Sequence, residues 1–286
     1  MRIPQLKMSG TAVCLLLISI VLSACGWRAT DIVSSKQLER IMSDLYSNKD
    51  VFEKHQVEFQ SSYSQEDRGF LEVRPVGDPS RTLTEKQLDA LKRSIYEAVG
   101  TKFPLTITVY TIGEEPHITG NMTAIDEEGR FLVASSEKFL DQEKKMPYAA
   151  WYKMAEDAIL EYDGMPIKAE DVTIGSAVNV WNSGLELTSY PSQTTGLRLE
   201  ITAWDDGQGD ANGSVTEAEV TAEGSNEIRS ITVNGETYRL LPFTQVWLQG
   251  ESAKAADLAS GDFVRLWFAG YDIGSERMVT QVVIER

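Results

Sequence analysis

Only two histidines and two cysteines stand in the 286 residues, against 43 aspartates and glutamates. Nucleophilic catalysis of the Ser-His-Asp kind would have to use His55 or His117, and no Gly-x-Ser-x-Gly turn accompanies either. His55 falls at a polar helix end. His117 follows Glu114-Glu115-Pro116 and could be a weak metal ligand, but it reads as a hydrated linker residue. A zinc centre draws several ligands from His and Cys, which this chain cannot readily assemble. Asp206, Gln208, Asp210 and Glu217 fall at the first, third, fifth and twelfth positions of a calcium-loop spacing. Ala211 stands where that loop's tight turn wants glycine, so Asp205–Gly213 reads as a Gly/Asp linker. Paired carboxylates are plentiful, and nothing marks one pair as special. No phosphate-binding loop or dinucleotide fingerprint is present. The expectation is no catalytic residue, no metal ligand and no cofactor. Tyr190, beside Pro191, is the side chain best suited to an exposed ligand contact.

The remaining reactive residue is Cys25. Arg2 and Lys7 precede an apolar run from Val13 to Leu22, too short for a membrane span and of signal-peptide length. The run ends in Leu22-Ser23-Ala24-Cys25, which resembles the lipobox of bacterial lipoproteins. That resemblance implies cleavage before Cys25, a diacylglycerol on its thiol, and a membrane partner held through that anchor. Two acyl chains suffice for stable anchoring where one does not. Cys14 leaves with residues 1–25, so no internal disulfide is possible. Loss of Arg2 and Lys7 takes the net charge from −16 to −18. Such acidity argues against nucleic acid as a partner, since phosphate binding requires a basic footprint. The location expected is the extracytoplasmic face of a cell membrane.

An internal repeat organises the C-terminal part. At an offset of 86, Gly164–Ser189 lies on Gly250–Ser275 without a gap, and nine of 26 positions are identical. They include Gly175/Gly261, Val178/Val264, Trp181/Trp267 and Gly184/Gly270. Upstream, Gly120-Asn121-Met122-Thr123 matches Gly213-Ser214-Val215-Thr216. Short apolar runs with turn residues between them, Asn234-Gly235 above all, make each copy β. Five or six strands in this length suggest a small antiparallel barrel of OB-like type. Trp151, Met154, Ala155, Ala158, Ile159 and Tyr162 have helical spacing. Their repeat partners at 237–248 include Pro242 and β-branched residues, which favours strands. Trp181 and Trp267 are expected in the core.

The repeat resembles bacterial proteins carrying the domain of unknown function 3221, found mainly in lipoproteins of Gram-positive spore-formers. The first copy carries it in Gly120, Ile125-Asp126, Ala150-Trp151, Gly175-x-x-Val178-x-Val180-Trp181, Gly184 and Ser189-Tyr190-Pro191-Ser192-Gln193. The second copy has Glu276-Arg277 where Tyr190-Pro191 stood. The resemblance implies no established activity.

Residues 26–115 read as a separate unit. Leu38, Ile41, Met42 and Leu45 mark a helix with Ser34 or Ser35 as N-cap. The stretch 57–73 reads as a strand pair with a polar loop over 61–69. Thr84-Glu85-Lys86-Gln87 has the form of a capping box, opening a helix that Gly100 ends, and a strand follows over 105–112. The fold class expected is thus α+β, a two-layer α/β unit followed by two tandem small antiparallel OB-like β-barrels. The divisions are 1–25, 26–115, 116–201 and 202–286. Residues 116–286 carry −15 and residues 26–115 only −3. The function expected is a lipid-anchored binding or support protein without catalysis, its protein or polysaccharide partner unidentified. The alternatives are a carboxylate-dependent cell-wall or polysaccharide hydrolase and a calcium-dependent surface module.

Overall fold

The computed structural model describes residues 33–143, 146–223 and 226–286. Cys14, Cys25 and the leader segment lie outside the described residues. The chain divides into two compact units, one of Met1–Val73 with Leu83–Val109 and one of Arg74–Thr82 with Tyr110–Arg286.

In the first unit the helices begin where side chains can cap them. Ser34 Oγ accepts from Gln37 N at 3.3 Å and opens α1 (Ser35–Asp44), whose Leu38 and Met42 are buried. After the short α2 (Lys49–Lys54), α3 (Glu85–Val99) starts at the Thr84/Gln87 capping box. It ends at Gly100, whose φ of 72° is the left-handed conformation a helix stop requires. Leu91 and Ile95 of α3 join Leu38, Met42, Phe52, Leu71 and Leu105 in one core. The sheet runs in the order β1 (Val57–Gln65), β2 (Arg68–Pro75), β3 (Leu105–Val109), with β2 and β3 parallel. The polar loop expected over 61–69 shrinks to two residues. Ser62 Oγ donates to Met42 O at 2.6 Å, and Tyr63 stacks on Phe70 at 4.9 Å. Polar side chains on a strand edge satisfy themselves without the backbone leaving the sheet.

The second unit holds both repeats, strand for strand. The first copy contains β4 (Ile118–Ile125), β5 (Phe131–Phe139), β6 (Pro147–Tyr162), β7 (Met165–Pro166), β8 (Ala177–Leu187) and β9 (Ser192–Ala203). The second contains β10 (Ala211–Glu223), β11 (Asn226–Val233), β12 (Glu236–Leu248), β13 (Glu251–Ala253), β14 (Phe263–Ile273) and β15 (Glu276–Glu285). Each set forms a six-stranded sheet, β5-β4-β8-β9-β6-β7 and β11-β10-β14-β15-β12-β13, with β5–β6 and β11–β12 also paired.

The observed architecture differs from the expected fold class. The chain is mostly β, with 54% strand and 17% helix in three sheets, rather than α+β with two antiparallel OB-like barrels. Each repeat is a mixed sheet, because β6 runs parallel to β9 and β12 parallel to β15. Turn signals locate strands but carry no information on such non-local pairing, which needs a long crossover. The segment 151–162 is strand throughout, and β6 reaches 16 residues because its first half pairs with β5 and most of its length with β9.

The two copies are joined by an apolar face of the first. Ala124, Leu132, Ala134 and Ala149 cluster with Trp151, Phe243 and Tyr271, and the Trp151 and Phe243 rings meet edge-on at 5.1 Å. Gln245 Nε2 donates to Ile125 O at 3.2 Å, and Thr280 Oγ1 donates to Thr123 O. The approach is close enough that a Cβ on Gly270 would lie 2.7 Å from Ala134 Cβ. Gly184, its partner in the first copy, lies as tightly under Tyr110, with a Cβ there 2.4 Å from the ring. The face equivalent to Ala124, Leu132 and Trp151 in the second copy, by strand pairing, is Glu217, Thr232 and Thr237. That face is polar, so it does not repeat the apolar contact.

Candidate functional site at His117

β6 alternates its side chains, so Tyr148 and Tyr152 project to one face, four residues apart. β4 begins immediately after His117, and Lys138 Nζ fixes the His117 carbonyl at 2.6 Å. The end of β8 supplies Glu186 and the start of β9 supplies Ser192. These side chains meet. His117 Nδ1 is 2.8 Å from Tyr152 Oη, and His117 Nε2 is 3.1 Å from Tyr148 Oη and 3.4 Å from Glu186 Oε2. The Tyr148 hydroxyl donates to Glu186 Oε1 and lies 3.4 Å from Ser192 Oγ.

Donor accounting assigns the protons. The Tyr148 hydroxyl has one hydrogen, and the carboxylate takes it, so Tyr148 accepts from His117 Nε2–H. His117 Nδ1 is then the acceptor of the Tyr152 hydroxyl. The chain Tyr152 to His117 to Tyr148 to Glu186 is complete with a neutral imidazole. Burial lowers the His117 pKa, with Lys138 acting in the same sense, and Glu186 opposes them without reversing the shift. Burial alone would raise the Glu186 carboxyl, but hydrogen bonds from Ser192 and Tyr148 and the neighbouring His117 hold it below its usual value. Burial pushes both tyrosine hydroxyls far up, reinforced at Tyr148 by its bond to Glu186.

An open pocket of about 220 Å³ reaches His117, lined also by Tyr110, Gly113, Glu115, Trp181 and Asn182. Tyr152 and Ser192 are buried at 0% and 5% exposure, so neither hydroxyl is offered to a substrate. The imidazole edge is what a small polar ligand would meet. The second copy lacks the arrangement: Tyr152 is matched by Tyr238, but Glu186 by Asp272 and Tyr148 by Asn234.

Of the residues expected from sequence, Cys25 lies outside the described residues. Tyr190 is partly exposed, donates to Pro147 O at 2.9 Å and packs edge-on against Tyr271 at 5.5 Å. Burial, with Tyr271 and Asp141, pushes its hydroxyl up to about 12. His117 is not the hydrated linker residue expected, because both ring nitrogens are engaged. His55 Nε2 lies 2.9 Å from Ser94 Oγ. In the acidic linker, Asp206 Oδ1 accepts from Gln208 N at 2.9 Å and Asp210 Oδ2 from Phe268 N at 2.6 Å. Glu217 sits in β10, and among the described residues no three His, Cys, Asp or Glu side chains gather as a metal site. Trp181 and Trp267 occupy equivalent places in β8 and β14, 5% and 4% exposed, each under an arginine, Arg198 and Arg265. Sequence reasoning missed Tyr148, Tyr152, Glu186 and Ser192. The Tyr-x-x-x-Tyr spacing on a strand was the one available signal, and none pointed to Glu186.

No protein-family model, curated protein or solved structure matches the chain. Among the described residues no helix is long and apolar enough to cross a membrane.

Proposed function

We propose that this is a lipoprotein anchored through Cys25 on the extracytoplasmic face of a membrane, where it binds or supports an envelope component without catalysis. The observation that carries this reading is the closed hydrogen-bond chain at His117. This cluster of acid-base groups satisfies its own hydrogen bonds with a neutral imidazole and faces a small open pocket. A carboxylate hydrolase needs one acid with a raised pKa. Among the described residues, the acids whose values depart clearly, Asp78, Asp157, Glu186 and Asp262, are held low. Asp157 is representative: burial opposes ionisation, but Arg74 binds it through two contacts of 2.9 Å and Gly77 N donates at 2.7 Å. The lipobox resemblance supports the anchor, and the resemblance of the first repeat to the 3221 domain supports an envelope role.

Two readouts on protein extracted from membranes test the proposal. Mass analysis should find residues 1–24 gone and a diacylglycerol on Cys25; an unprocessed, unmodified chain rules the anchor out. Peptidoglycan fragments or wall polysaccharide should bind saturably and remain intact, with affinity reduced by His117→Gln or Tyr190→Ala. Binding indifferent to both substitutions removes this end of the first repeat from the function.

A further inference from the structure

The first unit contains a pocket of about 470 Å³ between the end of α2 and the first turns of α3. Its volume is within the range of small-molecule sites. The polar lining is Lys54, His55, Gln56, Lys86 and Gln87, over a floor that includes Leu91. No carboxylate lines it, in a chain where acids outnumber bases by 43 to 27. Neither lysine has an ion-pair partner among the described residues, whereas Arg74, Arg130, Arg198, Arg239, Arg265 and Arg286 all do. Two lysines without ion-pair partners thus line a cavity that no carboxylate lines.

The surroundings add to this bias. α3 is 15 residues long, and its N-terminal end presents the positive pole of the helix dipole beside Lys86 and Gln87. Gln87 Oε1 accepts from Thr84 N at 2.9 Å, which leaves the amide's NH2 as the group able to donate. His55 is tied to Ser94, and burial with the neighbouring Lys54 lowers its pKa, so the lysines are the main source of positive charge.

We propose that this pocket binds a phosphate group carried on a small polar body, such as a phosphomonoester or a phosphodiester head. Lys54 and Lys86 neutralise the anion, while His55, Gln56 and Gln87 contact its polar substituent. Phosphate in the envelope has two sources with this chemistry, a lipid headgroup and a soluble or wall-borne ester. A headgroup becomes a source if Cys25 is lipidated, because the eight residues from Gly26 to Val33 span at most about 28 Å and so keep Val33 near the membrane surface. That arm alone rests on the anchor proposal.

The test uses the full chain carrying Cys25→Ser, so that no acyl anchor contributes, with two probes. Glycerol 3-phosphate is titrated calorimetrically, and vesicles of phosphatidylglycerol or phosphatidylcholine are co-sedimented. Both lysines are exposed, so Lys54→Gln/Lys86→Gln should fold normally, as circular dichroism will verify. The expected result is binding that weakens with added salt, falls at least tenfold in the double glutamine variant, and returns in Lys54→Arg/Lys86→Arg. Binding to phosphatidylglycerol but not phosphatidylcholine identifies a headgroup as the source; binding to glycerol 3-phosphate alone identifies a soluble ester. No binding of either probe, or binding that survives the double glutamine substitution, overturns the proposal. The Cys25 adduct is measured separately by mass, so failure of the anchor and failure of this pocket are distinguishable.

Discussion

Replacing Tyr152 by phenylalanine deletes one oxygen from a ring that is fully buried, without changing its packing. That oxygen is the donor to His117 Nδ1 at 2.8 Å. A net hydrogen bond contributes about 1 kcal/mol, and an acceptor left without a partner costs a further ~1 kcal/mol or more when water cannot replace the donor. The His117 side chain is 22% exposed, so rehydration is partial, and the expected loss is about 2 kcal/mol. The second repeat supplies a control. Tyr238, in the equivalent place, donates to Glu236 Oε2 at 2.8 Å, and that carboxylate is exposed. Water replaces the lost donor there, so Tyr238→Phe should cost no more than about 0.5 kcal/mol. Urea unfolding at pH 7.5, followed by tryptophan fluorescence, measures both. Five of the six tryptophans, Trp151 to Trp267, lie in the second unit and report on it. In a double-mutant cycle with His117→Gln, Tyr152→Phe should show a coupling of about 1 kcal/mol. A Tyr152→Phe loss no larger than that of Tyr238→Phe, or zero coupling, would refute the proton assignment.

Trp181→Ala and Trp267→Ala should each cost about 3–5 kcal/mol, because both rings are core residues at equivalent strand positions; a loss below about 1 kcal/mol for either contradicts that placement. Because the folded His117 pKa lies below 6.5, its stabilisation is complete above pH 6.5 and is lost as pH falls toward the folded value. Glu186, also held low, adds a second loss beginning below its ordinary value of 4.5. Unfolding free energy measured from pH 7.5 to 5 should therefore decline less steeply in His117→Gln. His55, shifted in the same direction, leaves a residual slope, and an unchanged profile would mean that His117 does not titrate against folding. Gly184→Ala should destabilise more than Gly250→Ala in the same assay. Both have positive φ, but only Gly184 has a ring within van der Waals distance.

Local physics made much of the first unit legible in sequence. The Thr84-x-x-Gln87 box and Gly100 bracket α3 because capping is decided by residues three or four apart. The repeat was equally plain, since Gly184 and Gly270 each admit a close approach that any Cβ would block. What stayed hidden depends on partners distant in the chain. The parallel register of β6 on β9, Ala150 beside Ser192 through Tyr162 beside Ile201, leaves no pattern in either strand alone. It was therefore replaced by an antiparallel barrel that neighbouring strands could form. His117 illustrates the same limit. Glu114-Glu115-Pro116 suggested a solvated linker, while the groups that engage it stand 31, 35 and 69 residues downstream. Tyr190 is exposed, but no sequence signal joins it to Pro147 or Tyr271, which it also contacts.

Binding without catalysis at the His117 cluster is the proposal to be tested most directly. Purified protein should be incubated with peptidoglycan, wall polysaccharide and ester substrates between pH 5 and 8, and product release should be measured beside ligand retention. The account predicts retention without product, with Glu186→Gln altering affinity at most. Product formation that Glu186→Gln abolishes in a protein of unchanged stability would contradict it.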